Sequence, residues 1–190
     1  MFRKILILFC LTSLVLAEIG LSGGITWGES LQSISGAERI DKLYSLSPRL
    51  AYFVELDSLD HPLFLENDQI VFGLGFLTET AHKDWILPAQ FQLSIPLYVT
   101  YYLRFGAHAI GLGGNLNLLQ IRYRNDLYMQ GQQLGKQLFY RYNAGSSYLE
   151  FGVMQLCARG DYPDEELISF YDSLNFILRY GFYLGGKNTL

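Results

Sequence analysis

Residues 90–104, QFQLSIPLYVTYYLR, alternate between two kinds of side chain. Phe91, Leu93, Ile95, Leu97, Val99, Tyr101 and Leu103 fall on one parity; Gln90, Gln92, Ser94, Pro96, Tyr98, Thr100, Tyr102 and Arg104 fall on the other. Successive side chains of a strand point to opposite faces, so the segment predicts one long strand with an apolar and a polar face. Strands of globular domains usually have about 5 or 6 residues, whereas a membrane-spanning strand needs about 9 to 11.

The pattern recurs along the chain. Leu174, Phe176, Leu178, Tyr180, Phe182 and Leu184 oppose Ser173, Asn175, Arg179, Gly181 and Tyr183, with Ile177 the one misfit. Ile19, Leu21, Ile25 and Trp27 oppose Gly20, Ser22, Gly24, Thr26 and Gly28. Residues 49–56, 70–79 and 107–118 give weaker versions, and 137–143 and 148–158 complete a set of eight. After Leu118 the apolar phase flips to Leu119, Ile121 and Tyr123, which predicts a bulge or the end of the buried zone. Pro96 cannot donate to a ladder, so a bulge or a widely spaced pair is expected there too.

Bacterial outer-membrane barrels use an even strand number from 8 upward, with short periplasmic turns and longer external loops. Residues 29–45, 80–88, 125–136 and 159–172 are the long connections, and Phe105-Gly106 and Ala144 to Ser147 are short ones. The second connection, SLDHPLFLEND, is longer than this rule expects.

The first 17 residues stand apart. Arg3-Lys4 precede the apolar run Ile5 to Leu16, and Ala17 follows. The run is too short to span a bilayer as a helix, and its order is that of a cleaved secretory signal peptide. The expected organisation is a signal over 1–17 and one barrel domain over 18–190. That domain keeps 12 basic against 18 acidic residues, a net charge of −6, which offers no electrostatic footprint for nucleic acid. Cys157 is its only cysteine, so neither an internal disulfide nor a cysteine metal site is available.

Parity alone fits both a lipocalin, apolar inside, and a membrane barrel, apolar outside. The contents of the polar face separate them. It is crowded with Gly20, Gly24, Gly28, Gly73, Gly75, Gly111, Gly113 and Gly181, and the inside of an eight-stranded barrel is only just wide enough for side chains. Arg49, Glu55, Glu79, Arg104, Arg141 and Arg179 share that face and are the expected lumen-facing charges, since Arg toward lipid costs about 2–4 kcal/mol near the midplane. Tyr101, Tyr102, Tyr123, Tyr142, Tyr148 and Tyr180, near strand ends, are expected in an interfacial aromatic belt.

LSIPLYVTYYL (93–103), followed by AIGLGGNLNLL (109–119) and preceded by the Gly-rich IGLSGGITWG (19–28), resembles the PorT-type outer-membrane β-barrel family of Gram-negative bacteria. The resemblance implies an all-β fold, an eight-stranded antiparallel up-and-down transmembrane barrel in the outer membrane. It also implies a structural, interaction or envelope-assembly role, with the barrel-assembly machinery and outer-membrane lipid as partners. Members usually end the last strand on an aromatic residue, whereas this chain runs on from Leu184 through GGKNTL.

Catalytic chemistry has little support. His61, His82 and His108 sit in no metal-ligand spacing and no nucleophile elbow. His82 with Glu79, Thr80 and Asp84 is the one combination that fits a lipid-modifying enzyme at the outer leaflet. DYPDEEL (161–167) lacks a calcium-loop spacing and reads as a hydrated external loop. Arg122 and Arg124 are the candidates for holding lipopolysaccharide phosphates. The expectation is a non-enzymatic barrel without cofactor or metal, with a narrow filled lumen and external loops open to an envelope protein partner; the alternatives are the lipid-modifying enzyme and a soluble periplasmic binder of an apolar ligand.

Overall fold

The computed structural model describes residues 18–34, 40–58, 64–80, 91–123, 126–162 and 165–184 of the 190-residue chain. They form eight strands: β1 (Glu18–Ile34), β2 (Ile40–Asp57), β3 (Asp68–Thr80), β4 (Phe91–Phe105), β5 (His108–Tyr123), β6 (Asp126–Ala144), β7 (Ser147–Tyr162) and β8 (Glu165–Leu184). Each pairs antiparallel with the next, and β1 pairs with β8 to close the barrel. Closure removes every free sheet edge, the condition for a sheet to sit in hydrocarbon.

The apolar parity faces out. Leu50, Tyr52, Val54, Leu97, Val99, Ile110, Phe151, Phe176 and Phe182 are exposed, as is Leu112 at 65%. The opposite parity is buried, with Thr26, Glu55, Thr100, Asn117, Arg141, Glu150 and Asn175 sealed from the outside. A soluble monomer rarely exposes a contiguous apolar patch above a few hundred Å², while a lipid-facing wall is apolar throughout its belt. This is the arrangement of a transmembrane barrel and the reverse of a lipocalin.

Two of the short turns follow from their glycines. Gly106 and Gly145 each occupy the first central position of a two-residue hairpin turn, at φ 64° and 63°, a left-handed conformation that glycine adopts without steric cost. On the opposite end the strands run further than expected. β1 and β2 take up most of 29–45, β6 most of 125–136, and β7 and β8 most of 159–172. Polar residues at these positions imitate loop composition, yet they extend the wall beyond its apolar belt.

The second connection has a structural reason for its length. Asp68 Oδ2 accepts hydrogen bonds from the backbone N–H of Phe64 (2.7 Å) and Leu65 (3.0 Å) and from the Tyr101 hydroxyl (3.0 Å). The Asn67 carbonyl accepts from Arg104 N at 2.9 Å. Residues 64–67 therefore fold back along β4, with the Phe64 ring 6.4 Å from that of Tyr101.

Two expectations about register are corrected. β5 keeps one phase through Leu119, which points inward and is buried beside exposed Leu118. The apparent flip is a leucine in the lumen, and the irregularity in pairing with β6 comes later, between Ile121 and Arg122. Pro96 makes no bulge: it pairs with Asn117 of β5 in unbroken register. On its other side the ladder to β3 stops at Leu74↔Leu97 and resumes in the same register at Leu77↔Ser94. Gly75 lies opposite the lapse, where a Cβ would come within 2.9 Å of the Pro96 ring.

Candidate functional site

The lumen is layered along the strands. Nearest the short-turn end, β2 supplies Glu55 and Asp57, β4 Tyr98 and Tyr102, β6 Arg141, β7 Tyr148 and Glu150, and β8 Arg179 and Tyr183. Two residues further along come apolar Phe53, Phe139 and Ile177. Amides and hydroxyls complete the interior, where Gln137 Nε2 donates to Thr100 Oγ1 at 2.5 Å and Asn175 Nδ2 to Ser173 Oγ at 2.9 Å.

The two guanidinium groups organise the first layer. Arg141 donates from Nε to Glu150 (2.7 Å), from Nη1 to Asp57 and to the Tyr183 hydroxyl (both 3.0 Å), and from Nη2 to Glu55 (3.0 Å). Arg179 donates from Nε to Glu150 (2.6 Å) and from Nη1 to the Tyr98 hydroxyl (2.8 Å), while its Nη2 pairs with Glu55 at 2.7 Å and with Glu150. Tyr98 and Tyr148 each donate to Glu55 at 2.6 Å, Tyr102 donates to Glu150, and Tyr183 donates to Asp57 at 2.9 Å. Gln69 Nε2 completes the Asp57 shell at 2.6 Å.

Stacking accompanies the ion pairs. The Arg141 guanidinium lies 4.2 Å from the Tyr148 ring centroid and 4.6 Å from that of Tyr102, and Arg179 lies 4.3 Å from that of Phe53. A desolvated cation–π contact contributes about 2 kcal/mol. All five charged side chains are fully enclosed. Two cations against three carboxylates leave a formal excess of one negative charge, spread over a shell of hydroxyl donors.

The glycines of the polar face make this layer possible. Tyr98 is the ladder partner of Gly73, Tyr102 of Gly111, Tyr148 of Gly181 and Tyr183 of Gly20. At Gly73, Gly111 and Gly181 an added Cβ would collide with the ring of that tyrosine, and at Gly20 it would touch the Tyr183 ring at 3.6 Å. A glycine on one strand thus gives each ring its bed on the next. Gly135 works similarly at the far end, where Asn115 Nδ2 reaches across its position to the Gln155 carbonyl at 3.1 Å.

Of the residues singled out from sequence, Glu55, Arg141 and Arg179 meet in this layer. Arg104 lies apart at the short-turn end, half-buried, with its backbone held by Asn67. The side chains of Arg49, Glu79 and Arg122 lie outside the described residues, as do all of Arg124, His61, His82 and Asp84. His108 sits against the Tyr140 and Tyr142 rings, with Nδ1 2.5 Å from the Tyr140 hydroxyl.

Tyr102 and Tyr148, expected in the outer aromatic belt, are instead sealed in the lumen. Their hydroxyls find carboxylates there, a partner that lipid does not offer. Tyr142 and Tyr180 are exposed on the outer wall. Sequence reasoning set Tyr98 and Tyr183 on the inward parity without giving them a role, and it missed Glu150 and Asp57. Glu150 carried a usable signal, because it stands opposite Arg141 across the Ala144–Ser147 turn.

No family model and no curated protein matches the chain. Solved structures do. Neisserial surface protein A is similar at 11% identity and a TM-score of 0.49, covering 84% of this chain and 96% of its own. Ail, the attachment invasion locus protein of Yersinia pestis, solved with a heparin analogue, gives 9% identity and 0.45 over 86% and 98%. The outer membrane protein AlkL, solved by solid-state NMR in lipid bilayers, gives 10% and 0.55 over 92% and 93%. At such identities the likeness is one of fold, and the AlkL comparison carries it. The chain has the fold of an eight-stranded outer-membrane β-barrel, with its apolar wall turned to lipid and its polar side chains turned inward.

Proposed function

We propose that this is a non-enzymatic outer-membrane barrel of the PorT type, whose role is structural, in interaction, or in assisting envelope assembly. The observation that carries the reading is the ionic layer. Five enclosed charged side chains and four tyrosines fill the lumen at one level, and a barrel filled there is not built as a general pore. Function then belongs to the wall and to the ends of the strands.

In this reading the short turns and both ends of the barrel domain face the periplasm, and the extended strand ends face outward. Lipopolysaccharide is met by Arg122 and Arg124, the barrel-assembly machinery inserts the chain, and an envelope protein engages the external connections. The test is a pair of measurements on the same preparation. Carbonate-washed outer membranes are run with and without boiling, and the refolded barrel is placed in planar bilayers. Retention in the membrane, a heat-dependent mobility shift and no steady conductance are expected; a washable protein or a porin-like conductance overturns the reading.

A further inference from the structure

Residues 64–67 read Phe-Leu-Glu-Asn, two large apolar side chains followed by two polar ones, and all four are exposed. Phe64 at 80% and Leu65 at 56% lie almost bare, yet their backbone is held. Both N–H groups donate to the Asp68 carboxylate, the Leu65 carbonyl accepts from Asp68 N at 3.2 Å, and the Asn67 carbonyl accepts from Arg104 N. The segment therefore turns backbone polar groups to the barrel and its two apolar side chains away from it.

The wall fixes the level at which those side chains stand. Asp68 shares the outward parity of β3 with Ile70, Phe72 and Leu74, and it is sealed beneath the segment. Its ladder partner on β4 is Leu103, while Tyr101, two residues further into the wall, is the partner of Ile70. The Phe64 ring lies against Tyr101, so the segment is folded back toward the apolar belt and does not project from the end of the barrel. Leu103, Phe105 and Ile110 are exposed on the same outer face, with Leu103 and Ile110 ladder partners. Phe64 and Leu65 thus continue the lipid-facing wall at its short-turn edge. Apolar side chains gain by leaving water, and aromatic residues collect where a membrane meets water. A periplasmic protein would reach these two side chains only by displacing the lipid that covers Leu103 and Ile110 beside them.

We propose that residues 64–67 form an interfacial foot that seats the barrel in the periplasmic leaflet of the outer membrane, with glycerophospholipid as its partner. Phe64 and Leu65 enter the boundary between headgroups and acyl chains, and Glu66 and Asn67 stay among the headgroups and limit the depth. The foot also screens the Asp68 carboxylate from hydrocarbon. The inference rests on the reading that the short turns face the periplasm, and it gives the length of the second connection a use.

The test is tryptophan depth quenching in the refolded barrel. Trp27→Phe/Trp85→Phe removes the native indoles, and Phe64→Trp, Leu112→Trp or Ser146→Trp is added singly to that background. Each protein is placed in glycerophospholipid vesicles whose acyl chains carry bromine either near the headgroup or near the methyl end. Heat-shifted mobility and quenching of Leu112→Trp, in the middle of the wall, establish the inserted barrel first, so failure of the membrane-barrel reading shows there and is separate from failure of the foot. The Phe64→Trp indole is expected to emit to the blue of Ser146→Trp and to be quenched about twice as strongly by the shallow bromines as by the deep ones, as for a group about 5–10 Å into the boundary. Emission and quenching equal to those of Ser146→Trp, in the Ala144–Ser147 turn, overturn the proposal and leave the segment in water, open to a protein partner; quenching led by the deep bromines, as at Leu112, overturns it as well.

Discussion

Arg141 and Glu150 are direct ladder partners across the β6–β7 hairpin, and Arg141 Nε donates to Glu150 Oε2 at 2.7 Å. Glu150 is also the ladder partner of Arg179 on β8, so three strands carry an Arg–Glu–Arg row on the lumen face. Removing one member of an enclosed ion pair leaves an uncompensated charge and costs about 3–5 kcal/mol. Arg141→Met and Glu150→Gln should each lower stability by that order in urea titrations of vesicle-inserted barrel. The double variant should fall short of the sum by about 0.5–3 kcal/mol, the coupling typical of contacting residues; strict additivity would show that the two side chains do not act together.

The glycine beds give a second expectation. Gly73→Ala and Gly181→Ala place a methyl group against the rings of Tyr98 and Tyr148, which are pinned by Glu55 and so cannot swing aside. Overpacking of this kind costs about 1–3 kcal/mol. Gly114, exposed and with its nearest neighbour at 3.5 Å, the Gly135 carbonyl oxygen, should accept alanine within about 0.5 kcal/mol. The same titrations check both, and equal effects at the three positions would remove the packing argument.

Leu112, exposed in the middle of the outward series of β5, is the place to test the wall. Leu112→Arg should cost about 2–4 kcal/mol in a bilayer, the depth-dependent penalty for a cation near the midplane. In a soluble barrel the same exposed change would be almost silent, so urea unfolding of the two proteins in matched vesicles decides between them.

Asp68 ties residues 64–67 to β4 through three donors. Each net hydrogen bond contributes about 0.5–1.5 kcal/mol, and the loss should be local. Chymotrypsin added to the inserted barrel should cut after Phe64 or Leu65 faster in Asp68→Ala than in the wild type, with Asp68→Asn, which keeps a carbonyl acceptor, between the two. Unchanged cleavage rates would mean that the turn is held by something other than Asp68.

Much of this fold was legible because period two is enforced so strictly. Phe91 to Leu103 alternate throughout and Leu174 to Leu184 break the alternation only at Ile177, since a strand with lipid on one side and a narrow lumen on the other has little tolerance on either face. The lumen was harder to read. Tyr102 and Tyr148 are amphipathic, and an interfacial belt and a carboxylate-lined interior both satisfy a ring that ends in a hydroxyl. Leu119 and Ile177 looked like phase errors because a filled lumen carries apolar residues of its own. The polar strand ends of β6 to β8 imitated loops, since above the belt neither face is bound to be apolar.

The distribution of charge among the strands bears on how such a barrel comes together. The β1–β4 half contributes Glu55 and Asp57 to the central layer, and the β5–β8 half contributes Arg141, Glu150 and Arg179. Neither half is neutral at that layer. A chain that entered lipid hairpin by hairpin would carry carboxylates without a cation on one side and a surplus guanidinium on the other, each several kcal/mol uphill in hydrocarbon. Only when β1 meets β8 do the opposite charges share one interior. Sealing the cylinder and pairing the charges it encloses are thus a single event, and a half-zipped intermediate is selected against by its own electrostatics.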